Sequence, residues 1–211
     1  LVEQIVETKG ASAVARSHSR GKVLKPQSMR SIAAEDSVKR LPTGIADLDT
    51  VLGGGILPAG VMLLAGQPGI GKSTLLMQVA AHVAEQSSVL YVSGEESASQ
   101  VKLRATRLGA TSGDDLQFVA STSADDIAAT IRSGQYKLAI IDSIQTLSLE
   151  EISSAPGTVS QITNSSNVII RAAKASGAAV ILVGHVTKEG SIAGPKVLEH
   201  LSALEHLRQG I

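Results

Sequence analysis

"GQPGIGKST", residues 66–74, follows the apolar run "VMLLA" and precedes "LLMQVAAHVAEQ". Three glycines, a lysine and two hydroxyls thus stand between a strand-like and a helix-like stretch. Gly66, Gly71, Lys72 and Ser73 match the spacing G-x-x-x-x-G-K-[ST] in the context that motif requires, strand before and helix after. Glycine lets the backbone wrap close to phosphate oxygens that a Cβ would hold off. The N–H groups at the helix start and the helix dipole favour an anion there. Gly66, Gln67, Pro68, Gly69, Ile70, Gly71, Lys72, Ser73 and Thr74 are therefore expected to cradle ATP or ADP. Lys72 would face the β- and γ-phosphates, Ser73 Oγ would ligate Mg²⁺, and Thr74 would donate to the α-phosphate.

Working outward, five apolar runs are separated by helical or loop segments: "GVMLLAG", "SVLYVSG", "LQFVAS", "KLAIID" and "AAVILVGH". Four of them hold at least four consecutive apolar residues, as strands buried on both faces of a parallel sheet do. Among the connections, residues 73–86 place Leu75, Leu76, Val79, Ala80, Val83 and Ala84 on one helical face. Residues 123–134 open with a Ser123–Asp126 spacing like a capping box and close at Gly134. Residues 158–177 form a longer helix candidate ending at Gly177, although its Ser and Asn side chains compete for backbone partners. "TGIADLDTVLGGG" reads as a short capped helix. Strands alternating with helices predict an α/β fold, a mostly parallel sheet flanked by helices.

A magnesium-bound nucleotide needs a carboxylate at the end of a buried strand, and Asp142 closes "KLAIID" in that way. Glu95 and Glu96 in "YVSGEES" follow another strand, and one of them suits a general base toward the γ-phosphate. Both also suit a plain acidic helix N-terminus. His185 ends the last strand, where a polar residue can sense the γ-phosphate; an ordinary hydrogen-bonded histidine is the alternative. "KEGSIAGPK", 188–196, and "SLEEISSAPGT", 148–158, read as mobile loops, the first with lysines suited to phosphates and the second acidic. Arg104 and Arg107 are expected on a solvated helix face.

Composition bounds the rest. The 211 residues hold 19 basic and 19 acidic side chains, which excludes a uniformly basic nucleic-acid coat but not a local basic patch. Phe118, Tyr91 and Tyr136 are the whole aromatic supply, which argues against binding single strands by base stacking. There is no cysteine, hence no disulfide or thiolate metal site. No apolar run is long enough to cross a bilayer, so no membrane partner is expected. Residues 1–40 read as a flexible basic linker with a short strand near "MRSIAA".

Together, "LPTGIADLDTVLGGGILPAG", "GQPGIGKSTLL", "YVSGEES", "AIIDSIQT" and "VGHVTKEGSIAGPKVLEH" resemble the RadA (Sms) family, bacterial recombination ATPases with a RecA-like core. The resemblance runs from about residue 41 to 201, with residues 202–211 a short tail of uncertain origin. It implies a cytoplasmic, ATP-driven motor on single-stranded DNA and recombination intermediates, hexameric at full length, acting in recombination and repair beside recombinase or replicative proteins. It makes Glu95 and Lys72 the catalytic pair, Asp142 and Ser73 the magnesium residues and His185 the sensor. It assigns DNA contacts to the two loops, with Lys188, Gly190 and Lys196 foremost. The family's four-cysteine zinc finger, its K-N-R-F-G motif and its Lon-protease-like domain have no counterpart here, so a truncated fragment with weak hydrolysis is expected and zinc belongs only to the missing N-terminal region. The alternative is a KaiC-like regulatory ATPase or autokinase acting on proteins; a third reading is a nucleotide-binding module without catalysis.

Overall fold

The computed structural model describes residues 25–31, 39–110 and 115–185. The chain falls into two units, Leu1–Asp36 and Ser37–Ile211. In the first, Met29–Ser31 is a 3-10 turn, where a short strand was expected. The remainder of that expected strand, and the tail at 202–211, lie outside the described residues.

In the second unit all five apolar runs become strands: β1 (Val61–Gly66), β2 (Val89–Ser93), β3 (Leu116–Ala120), β4 (Leu138–Asp142) and β5 (Ala179–His185). They form one sheet in the order β1-β5-β4-β2-β3, every described pairing parallel. Every residue of β2 and β4 is buried, whereas the edge strand β3 is only partly so. The run that interrupted its apolar residues with Gln117 thus lies at one margin of the sheet, and the partly buried β1 lies at the other.

Side-chain alternation sorts the sheet into two cores. Leu63, Leu90, Val92, Ala139, Ile141, Val180 and Leu182 point to one face. There they meet Ile127 and Ile131 of α4 (Ala124–Ser133) and Ile162, Ile169 and Ala173 of α5 (Val159–Ser176). Met62, Val89, Tyr91, Leu138, Ile140, Ile181 and Val183 point to the other. That face is covered by α1 (Ala46–Val51), α2 (Lys72–Ala84) and α3 (Ala98–Arg107).

Local signals explain most boundaries. Ser123 Oγ accepts from Asp126 N at the start of α4, and Thr158 Oγ1 from Gln161 N at the start of α5. Gly177, at φ 76°, ends α5 in a left-handed turn. Of the Ser and Asn side chains that weakened the α5 reading, Asn164 Nδ2 donates back to Ser160 O, whereas Ser165 Oγ and Ser166 Oγ are buried without a hydrogen-bond partner among the described residues. α1 is short as expected, but among the described residues no side chain caps it; Thr43 Oγ1 accepts from Ile45 N and Asp49 Oδ1 from Thr43 N in the preceding turn. α2 buries Met77 and Lys72 beside the expected apolar positions, while Leu75 and Ala84 stay half-buried.

The candidate nucleotide site

The carboxyl ends of four adjacent strands, β1, β5, β4 and β2, carry the residues singled out in the sequence. Register fixes their spacing: Gly66 pairs with His185, and Ser93 with Asp142. This rim is where open parallel sheets hold their ligands.

The phosphate loop leaves β1 at Gly66 and enters α2 through Gly71, at φ 98°. Gly69 is also left-handed, at φ 79°, so neither position suits a side chain. α3, α4 and α5 begin with a Ser or Thr that accepts a backbone N–H, but α2 has no side-chain cap among the described residues. Residues 67–71 are exposed. The first turn of α2 therefore presents backbone donors outward, as an anion requires.

Lys72 sits at the back of that cradle, 8% exposed. Its ammonium donates to Gly66 O at 2.8 Å and Gln67 O at 2.9 Å. It lies 3.5 Å from His185 Nδ1. Burial holds its pKa below the ordinary 10.5, while the charges of Asp142 and Glu95 oppose the shift. The desolvated charge is one that phosphate oxygens would relieve.

Asp142 is nearly buried, and its Oδ2 accepts from Tyr91 Oη at 2.9 Å. Beyond β2 the two glutamates diverge. Glu95 Oε1 accepts from Ser143 Oγ at 2.7 Å and lies 3.5 Å from His185 Nε2. Glu96 instead forms an ion pair with Arg104 of α3. His185 thus bridges Lys72 and Glu95; with the ammonium donating to Nδ1, Nε2 carries the proton toward the carboxylate. The backbone between the strands is tight, since a Cβ on Gly94 would fall 2.1 Å from Thr146 Oγ1.

Lys72, Asp142, Glu95 and His185 therefore meet, with Ser73 in the adjoining first turn of α2. Lys188, Gly190 and Lys196 lie outside the described residues. Sequence reasoning missed Ser143, although it directly follows Asp142. It also missed Tyr91, although strand period places residues 91 and 93 on one face and register puts Asp142 beside 93. Arg104, expected on a solvated face, is partly buried against Glu96, and its Nη1 is buried without a hydrogen-bond partner among the described residues.

The segment after Asp142 also differs from a free loop. Gln161, buried in α5, accepts from Leu149 N and donates to the carbonyls of Leu149, Ile152 and Ser154. One amide thus ties residues 149–154 to the helix, a role no sequence motif announced.

These residues fit a magnesium–nucleotide pair: an uncapped helix start, a desolvated ammonium, a hydroxyl and one carboxylate. Among the described residues no group of three or more His, Cys, Asp or Glu is placed to hold a metal. Ser73 and Asp142 would hold Mg²⁺ together with phosphate oxygens and water, as suits that ion. Among the described helices none is long and apolar enough to cross a membrane.

Fold and site define a RecA-like P-loop nucleotide-binding core. The AAA domain family model matches residues 27–191, and the chain belongs to that family. Its relatives include the DNA repair protein RadA of Pseudomonas aeruginosa, 46% identical over 204 residues, covering 95% of this chain and 44% of the relative. RadA of Escherichia coli is 46% identical over 178 residues (84% and 38% of the two chains). RadA of Bacillus subtilis is 43% identical over 203 residues (95% and 44%). The chain spans less than half the length of these relatives. A solved DnaB-like replicative helicase, whose structure describes its interactions with primase, shares the fold with TM-score 0.61 at 16% identity, covering 74% of this chain and 47% of its own.

Proposed function

We propose that this chain is the ATP-hydrolysing core of a DNA recombination and repair motor. The carrying observation is the meeting of Lys72, Glu95, Asp142 and His185 at one sheet rim. The DNA-repair assignment draws on the RadA relatives. The autokinase alternative finds no counterpart among those relatives.

Bound Mg²⁺ supplies positive charge to the phosphate oxygens and orients them. The chain does the rest. Backbone N–H groups at the start of α2 take the phosphates, and Lys72 turns its ammonium from Gly66 O and Gln67 O toward the β- and γ-oxygens. Glu95, with its side chain 49% exposed, stays within reach of water. Ser143 occupies Oε1, leaving Oε2 to take a proton from the attacking water. His185 touches both Lys72 and Glu95, so a γ-phosphate that draws Lys72 away changes the histidine's contacts. That change, at the last described residue before Lys188, is the proposed link to DNA. Hexamer assembly, single-stranded DNA as partner, Lys188, Gly190 and Lys196 as its contacts, and a cytoplasmic location belong to the same proposal.

ATP turnover by the full chain, with and without single-stranded DNA, tests it. DNA should stimulate turnover, and Lys188→Ala should weaken DNA binding more than nucleotide binding. DNA-independent phosphorylation of the chain's own Ser or Thr would favour the autokinase. Binding without turnover would leave a module that serves assembly alone.

A further inference from the structure

We infer that Tyr91 is a positioning residue for the metal site: its hydroxyl fixes the Asp142 carboxylate so that one oxygen is held inside and the other faces the nucleotide. The inference deepens the nucleotide reading above and rests on it.

Register makes the contact. Tyr91 pairs with Ile140 and Ser93 with Asp142 on neighbouring parallel strands. Residues 91 and 142 therefore share a face, two positions apart along the strands. A phenol is long enough to span that diagonal. It does so at 2.9 Å, donating to Oδ2 from a ring that is 1% exposed. A buried phenol needs an acceptor, and an aspartate at a metal site needs an outer partner to hold its plane.

The ring is buried beneath the rim. It belongs to the apolar layer that includes Met77 of α2, Val101 and Ala105 of α3 and Phe118 of β3, and with them and Lys102 it lines a cavity of about 290 Å³. The hydroxyl donates to the carboxylate of Asp142. A phenol keeps its proton at neutral pH, so Tyr91 is the donor and the carboxylate the acceptor. The aim of Asp142 is thus set from the hydrophobic layer beneath the site.

The test uses the full chain and a fluorescent ADP analogue, titrated in EDTA and then with Mg²⁺. In Tyr91→Phe the Mg²⁺ concentration that half-restores tight binding should rise about tenfold, the low end for loss of a partner behind a metal ligand. Affinity in EDTA should stay within about twofold, because the hydroxyl of Tyr91 is bonded to Asp142 and not to the phosphate loop. An unchanged Mg²⁺ requirement, or an equal loss with and without Mg²⁺, overturns the inference. A wild type whose binding ignores Mg²⁺ would instead overturn the metal reading of Asp142 and Ser73. A second measurement keeps ring and hydroxyl intact: 3-fluorotyrosine at position 91, observed by fluorine resonance. The signal should move when Mg²⁺ joins the nucleotide complex and stay put when Mg²⁺ is added alone. A signal that never moves also overturns it.

Discussion

Ser143 Oγ donates to Glu95 Oε1 across 2.7 Å, joining the residue after β4 to the turn after β2. That bond separates two adjacent glutamates of like chemistry, because Glu96 is turned to Arg104 instead. Glu95→Gln should cut kcat by about a hundredfold or more, the scale of a lost general base, with nucleotide affinity nearly unchanged. Glu96→Gln should leave kcat within about threefold. Steady-state turnover and fluorescent-nucleotide titration of both variants decide between them, and the reverse pattern would move catalysis to Glu96.

Lys72→Ala should weaken nucleotide binding about ten- to a hundredfold, the worth of a charge-assisted hydrogen bond. Binding retained at full strength would remove the lysine from the site.

The ammonium of Lys72 loses its proton below the ordinary value because it is buried. A bound phosphate favours the charged form and must restore that proton. Affinity for ADP should therefore fall as pH rises toward and through the lowered Lys72 pKa, with proton uptake on binding in that window. Lys72→Arg should bind without the alkaline decline. Calorimetry in buffers of different ionisation heat reads the proton directly. The same shift disfavours folding while Lys72 is charged, and that penalty eases as pH climbs from the folded value toward 10.5.

Gln161→Leu removes the amide that serves Leu149, Ile152 and Ser154 and strands their backbone groups. Stability should drop by about 3 kcal/mol. Denaturant unfolding checks the cost, and hydrogen exchange at residues 149–154 should rise with it.

Gly94→Ala puts a methyl where Thr146 Oγ1 and Thr122 Cγ2 already stand, at 2.1 and 3.2 Å. Overpacking of this kind costs about 1–3 kcal/mol. Because Gly94 lies next to Glu95, turnover should fall further than the stability loss alone explains; thermal melts beside kcat separate the two effects.

Much of this was legible in the chain. Continuous apolar runs gave away the buried strands, since neighbours such as Ile140 and Ile141 point to opposite faces and both meet helices. The phosphate loop was legible because its chemistry is local: Gly66 to Thr74 are contiguous. Asp142 and His185 were legible because strand ends converge on one rim. What stayed hidden depends on strand order. Tyr91 meets Asp142 only because β2 and β4 are neighbours, 51 residues apart in sequence. Gln161 and Arg104 stayed hidden for a related reason: each looks like a surface helix residue until the segment it grips is in place.

The division of the sheet into two apolar layers has a bearing on chemistry as well as on folding. A slip of β2 by one residue against β4 would send Tyr91 into the opposite layer and swap Val89 and Leu90 between environments. The error would cost apolar burial long before a nucleotide arrived to detect it. Misaligned copies of this rim are thereby weeded out during folding, and the geometry that handles phosphate is inspected by oil rather than by substrate.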